Sequence, residues 1–196
     1  MVKIDKFKYR NMLVCTMTRI LVISDVHSNL PALETVLEDA QRHGPFDFKL
    51  NAGDIVGYGP WPNECIAMLN SNGYDRTNTV RGNHDSAVLT GNTTGFNLDA
   101  HDAAMYNRSI LGSEGRDYLD SLKSGPLIEK DGKFAMTHGS FAGYDNHFED
   151  HYIFEERDAA RAMSALCFSD DDAESGWKHA ALGIVGHTHY PTYASC

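Results

Sequence analysis

The chain is short of positive charge. Its 196 residues carry 27 acids against 17 bases, a formal net charge of −10, so no basic face is expected for general binding to a nucleic-acid backbone. An anionic substrate remains admissible if bound cations reverse the local sign. Cysteine is sparse: Cys15, Cys65, Cys167 and Cys196 form no C-x-x-C pair, which argues for unpaired thiols in a reducing, cytoplasmic compartment. No apolar run approaches the roughly 18 residues of a membrane span, so no membrane partner is expected. Lys3, Lys6, Lys8 and Arg10 precede only a four-residue apolar run at 12–15, whereas a secretion signal needs a core of about 7–15. Residues 1–18 are therefore expected to be a loose leader and 19–196 the domain. The acidic run of Asp170, Asp171, Asp172 and Glu174 lacks EF-hand spacing and reads as a solvated loop rather than a calcium site.

What is present suits a packed α/β domain. Hydrophobic residues make up 42%, enough for a core. Arg19 to Ser24 is a short apolar run of the kind buried on both faces of a parallel sheet. Pro31 fits the first turn of a helix capped by Ser28 or Asn29. Leu33, Val36, Leu37 and Ala40 then recur at helical spacing, and Gly44 closes the element. Asp47 to Ala52 predicts a second strand broken at Gly53-Asp54. Pro62 opens a second helix ending near Gly73, and a third strand runs into Arg81-Gly82. That βαβαβ order predicts a helix-covered parallel sheet, with functional groups at the carboxyl ends of its strands.

Farther on, Asp99 to Leu122 reads as helical, with Ala103, Tyr106, Ile110 and Leu111 on one face. Asp131-Gly132 signals a hairpin turn whose second strand ends in His138-Gly139. Residues 141–153 look irregular and Glu155 to Leu166 helical. A last apolar strand, Ala180 to Val185, ends in Gly186-His187-Thr188-His189.

Five short pieces stand out, each after an expected strand: Asp25-x-His27, Gly53-Asp54, Gly82-Asn83-His84-Asp85, His138-Gly139 and Gly186-His187-x-His189. Any one of them is ordinary; D-x-H arises in surface turns, and a lone histidine is commonly a core residue bonded to a carbonyl. Together, in this order, they hold five of the ten histidines. Imidazole and carboxylate donors without thiolate suit manganese, iron, zinc, cobalt or nickel rather than a structural zinc cage.

The series resembles the calcineurin-like metallophosphoesterase superfamily, whose motifs run D-x-H, G-D, G-N-H-[DE], H and G-H-x-H. Ile-Ser-Asp-Val-His-Ser-Asn-Leu-Pro-Ala-Leu-Glu and Gly-Asp-Ile-Val-Gly-Tyr-Gly-Pro-Trp-Pro-Asn-Glu resemble its small prokaryotic branch of phosphodiesterases and phosphatases. The likeness covers 19–191. It implies a two-sheet sandwich flanked by helices, and two divalent transition-metal ions, manganese first. Asp25, His27 and His189 would hold one ion, Asn83, His138 and His187 the other, and Asp54 would bridge them. The pair would acidify a shared water and clamp phosphoryl oxygens for in-line attack.

His84 would stand where the family places its general acid, with Asp85 orienting its imidazole and raising its pKa, or it would be a spectator beside the site. Arg81 would contact a phosphate oxygen or form a structural ion pair. Tyr58 and Trp61 would line the substrate mouth or pack. The implied substrate is a phosphorylated small molecule, a phosphodiester or small nucleotide. A phosphomonoesterase, a protein phosphatase, a dinucleoside polyphosphate hydrolase or a non-catalytic protein-binding scaffold stand as alternatives. The chain ends seven residues after His189, without the Asn-Pro-Gly-Ser-like stretch and further strands usual in relatives. The domain is therefore expected to lack its C-terminal strands. Oligomeric state is not readable.

Overall fold

The structure, a computed structural model, describes residues 18–129, 134–142, 152–168 and 180–189. Strand β1 (Ile20–Ile23) pairs in parallel with β2 (Phe48–Asn51), Ile20 opposite Phe48 and Ile23 opposite Asn51. The crossover between them is helix α1 (Leu30–His43). Asn29 caps it, its Oδ1 accepting from the Ala32 amide at 3.3 Å, and Pro31 sits in the first turn, where its missing N–H costs nothing. Leu33, Leu37 and Ala40 face the core, whereas Val36, expected beside them, points to solvent.

Helix α2 (Pro62–Ser71) follows β2. The expected third strand is reduced to two parallel bridges, Asn51 with Thr79 and Val80 with Lys123. A turn in which Asp75 Oδ1 accepts from the Thr77 amide and hydroxyl occupies the chain just before them. Just after them, helix α3 (Asn83–Thr90) begins. Too little chain is left between turn and helix for a ladder. The Asn83-His84-Asp85 cluster is thus the first turn of a helix, not the loop leaving a strand.

Helices α4 (Leu98–Ile110) and α5 (Ser113–Ser121) complete the helical layer. On α4 the buried stripe is Ala100, Ala104 and Asn107, while Tyr106 and Ile110, expected inward, are exposed. A second sheet consists of β3 (Leu127–Ile128), β4 (Ala135–Met136) and β5 (Gly183–Ile184), with β3 antiparallel and β5 parallel to β4. Helix α6 (Glu156–Phe168) lies between β4 and β5 in the chain.

The two sheets meet through Leu50, Ala52 and Val80 of the first and Phe134, Met136 and Ile184 of the second. Helices α1 to α5 cover the opposite side, packing Leu33, Leu37, Leu69, Val88 and Leu119 around Ile23. The expected α/β sandwich of two sheets flanked by helices is therefore what forms. Among the described residues no helix is long and apolar enough to cross a membrane. The leader at 1–17, the 131–132 turn, the acidic run at 170–174 and the segment 190–196 lie outside the described residues.

Leu69 is fully buried in the helical layer. Leu69→Ala should lower the unfolding free energy by about 2–5 kcal/mol, against about 0.5 kcal/mol or less for the exposed Val36→Ala. Denaturant titration at unchanged m-value measures both.

Candidate functional site

Beyond Ile23 and Asn51 the two strands stay coupled after regular pairing ends. The Asp25 amide donates to Gly53 O, His27 to Asp54 O and Ser28 to Ile55 O, at 2.8–2.9 Å. Along this stretch and its counterpart after β5, non-glycine residues take positive φ: Asp25, His27, Ser28, Asp54, His187 and His189. Such backbone costs about 1–3 kcal/mol per residue and collects at functional sites. Five of these six are residues singled out as metal ligands from the sequence.

Two glycines let the loops close up. A Cβ on Gly82 would stand 2.1 Å from Asp54 Oδ1, and one on Gly57, at φ +134°, would stand 2.7 Å from His84 Nδ1 and 2.8 Å from His27 Nδ1.

These turns bring the strand ends together. His189 Nε2 lies 3.1 Å from both Asp25 Oδ1 and His27 Nε2. His138 Nε2 is 3.2 Å and His27 Nε2 3.7 Å from Asp54 Oδ2. Three groups of donor atoms result, each within 4.8 Å: Asp25, His27 and His189; His27, Asp54 and His84; Asp54, His138 and His187. The first opens to solvent through His189, which is about half exposed, and the third is buried.

The donor chemistry fits cations. His138 Nδ1 lies 2.7 Å from Ala52 O, and His27 Nδ1 3.2 Å from Val56 O. A carbonyl only accepts, so each Nδ1 carries a proton, and each Nε2 is the nitrogen that faces inward and would be free to ligate once deprotonated. Asn83 Oδ1 and His187 Nε2 are buried without a hydrogen-bond partner, which is costly unless something else coordinates them. Donors held about 2.0–2.2 Å from one ion lie roughly 3–3.5 Å from each other, as do His189 with Asp25 and His27 and His138 with Asp54.

Burial opposes charge on Asp54, yet His138, His27 and His84 outweigh it and hold the carboxyl far below its usual range. The same pairing works on His138: burial disfavours its cation, but Asp54 holds it up at about 9. Burial, with His138 beside it, pushes His187 down to about 3.

His84 and Asp85 depart from expectation. Asp85 does not face the imidazole. Its Oδ1 accepts from the Ile55 and Val56 amides at 2.9 and 3.0 Å, and its Oδ2 from Gly82 N at 3.0 Å. The last bond is half of a capping box, whose sequence sign is an acid three residues after the cap. His84 Nδ1 is left unpartnered, and burial holds the ring down at about 4 rather than raised. Burial and the Asp54 charge push Asp85 up to about 7. Arg81 forms no ion pair among the described residues; its Nη2 donates to Ser124 Oγ at 3.2 Å. Tyr58 and Trp61 are 49% and 40% exposed and border a cavity of about 420 Å³ next to His27 and His189; Tyr58 also packs on the His27 and His84 rings. A larger groove of about 720 Å³ between α1 and α2 is bordered by Glu34, Glu38 and Glu64, which ill suits an anion.

One residue escaped sequence reasoning. Asn107 on α4 is fully buried. Its Nδ2 donates to Gly57 O, Gly59 O and Ala103 O at 2.6, 2.9 and 3.1 Å. Its Oδ1 accepts from Ser28 Oγ at 2.6 Å and Gly57 N at 3.2 Å. It pins both loops that carry His27 and Asp54 to the helical layer. A lone Asn in a helix gave no signal.

A two-sheet α/β frame with imidazoles and carboxylates at its strand ends defines the metallophosphoesterase class. A family model for the calcineurin-like phosphoesterases matches residues 18–195, and the chain belongs to that family. It is 32% identical over 176 residues to an uncharacterized protein of Methanocaldococcus jannaschii, covering 88% of this chain and 63% of the relative. Among solved structures it is similar to a metallophosphoesterase from Sphaerobacter thermophilus (36% identity, TM-score 0.65, 88% of this chain and 61% of that one). A hypothetical protein from Pyrococcus horikoshii shares the fold at 23% identity and TM-score 0.60, over 76% of this chain and 64% of that one. The chain thus spans less than two thirds of the length of these relatives.

Asn107→Ala should cost about 2–5 kcal/mol, because it strands several buried backbone groups. It should also speed amide exchange at Ser28, Gly57 and Gly59, which hydrogen-exchange mass spectrometry resolves from global loosening.

Proposed function

We propose that residues 19–196 hydrolyse phosphoesters with two divalent cations, the substrate being a phosphodiester or small nucleotide. The observation that carries this reading is Asp54: one buried carboxylate shared by His27 and His138 and grouped with His187, while Asn83 Oδ1 and His187 Nε2 are buried donor atoms without a partner. Asp25, His27 and His189 would hold one ion, Asn83, His138 and His187 the other, and Asp54 both. When bound, the ions would supply the charge that attracts an anionic phosphate into an acidic chain and acidify the attacking water. The nitrogen and oxygen donor set makes manganese the first ion to test, and the unpaired, buried Cys65 accords with a reducing cytoplasm.

The chain's own residues do the rest. Val56 O and Ala52 O fix the tautomers of His27 and His138, and Asn83 contributes a neutral oxygen that limits total charge. His84, its ring centroid 4.8 Å from that of His27, would give a proton to the departing alkoxide. A substrate phosphate beside the ring would raise its proton affinity by Coulomb attraction, against the burial that lowers it and the neighbouring cations. Asp85 would serve by holding the Asp54 loop and the start of α3 together. Arg81 would offer a phosphate oxygen the guanidinium donors that Ser124 does not engage.

The test is hydrolysis of bis(p-nitrophenyl) phosphate with Mn²⁺ and with EDTA. Turnover should require metal and vanish in His138→Ala. In His84→Ala, kcat should fall by about 10²–10⁴. A folded, metal-loaded chain that cleaves nothing, neither this diester nor p-nitrophenyl phosphate, ends the hydrolase reading for this chain.

A further inference from the structure

The geometry points to a ring-binding subsite beside the metal-ligand cluster, one that takes the neutral, planar base of a nucleoside phosphoester. The assignment rests on the phosphoesterase reading above and narrows its substrate. The cavity of about 420 Å³ is lined by Asp25, His27 and His189 together with Tyr58, Pro60 and Trp61. Its size falls within the range of small-molecule sites, about 300–1,000 Å³.

Two large aromatic rings stand at this rim. Tyr58 packs edge-on to His27, centroids 4.9 Å apart, and tilted against His84 at 4.8 Å, yet stays 49% exposed; Trp61 is 40% exposed. Rigid amphipathic rings left open at a cavity are efficient surfaces for stacking. The loop that carries them is already ordered. Gly59 N donates to His27 O at 2.7 Å and Trp61 N to Ser28 O at 3.3 Å, while Asn107 holds the Gly57 and Gly59 carbonyls. Binding a ring there therefore costs little further ordering.

Charge decides what the ring belongs to. No lysine or arginine is among the described residues that line the cavity, and Asp25 is. Away from the ion that Asp25, His27 and His189 would hold, a second phosphate or an acidic peptide would meet no lysine or arginine among the described residues of the Tyr58–Trp61 wall. A neutral purine or pyrimidine needs none. With the phosphoryl group at the His27–Asp54 cluster, the base would lie over Trp61 and Tyr58. This favours mononucleoside esters over polyphosphate chains and phosphoproteins.

Two measurements test it. In a Trp177→Phe chain, Trp61 is the sole tryptophan, as the sequence has two. Adenosine, which carries no phosphate, should quench its fluorescence saturably with EDTA present, and ribose should not. With Mn²⁺, the methyl diester of AMP should be cleaved with higher kcat/KM than the methyl diester of ribose 5-phosphate, from which it differs only in the base. Trp61→Ala should cut that preference roughly tenfold, chiefly through KM, and Trp61→Phe should restore most of it. Non-saturable quenching, or equal kcat/KM for the two esters, overturns the subsite while leaving the hydrolase intact. Saturable quenching with neither ester cleaved keeps the ring site and overturns the phosphoesterase reading instead.

Discussion

The structure turns on a carboxylate that has been taken almost wholly out of water. Asp54 is 1% exposed, and an ionised carboxylate in that position is tenable only if its oxygens are occupied by opposite charge or donors. They are. Oδ1 accepts the His84 amide at 2.8 Å, a free N–H in the first turn of α3, where the helix end carries partial positive charge. Oδ2 faces His138 and His27. Gly82 can have no side chain because Asp54 occupies the place of its Cβ. The cap of α3, the end of β2 and the end of β4 are thereby tied to one atom group.

Around that carboxylate the fold keeps backbone that L-residues resist. Positive φ at Asp25, His27, Asp54, His187 and His189 turns side chains from different strand ends toward one point, where regular strands would alternate them. The strain is held by elements that do not touch the site's centre. Asp85 binds the Ile55 and Val56 amides, and Asn107 binds the 57–59 loop and Ser28. Both are polar residues buried where an apolar one would pack more simply. Their hydrogen bonds offset part of that desolvation, burial still holding the Asp85 carboxyl up at about 7, and they tie the loops to the helical layer.

The same arrangement separates the two halves of the cluster. His138 and His187 are buried and screened from solvent, whereas His189 is open and Asp25 and His27 border a cavity. Among the described residues the cluster is thus open beside Tyr58 and Trp61 and buried at His138 and His187. Under the proposed reading, cations held by these residues would govern the local field over the short distances involved and offset the chain's acidity toward an anion.

Much of this was legible in the chain, because strand ends and motif residues coincide in sequence. Asp25-x-His27, Gly53-Asp54, Asn83, His138 and His187-x-His189 are few, polar and placed after apolar runs, and the structure brings them together. Helix α1 could be read from Asn29, Pro31 and its apolar spacing, since capping and periodicity act within a few residues. Local chemistry of that kind determined the elements, their order and the candidate donors. Only tertiary structure decided the rest. The third strand shrank to bridges because a turn and a helix compete for the same short segment. Asp85 left His84 for backbone amides, and Asn107 displaced Tyr106 and Ile110 from the buried face. These outcomes depend on which buried donors need acceptors, a demand set by residues far apart in sequence and met only when they are packed together.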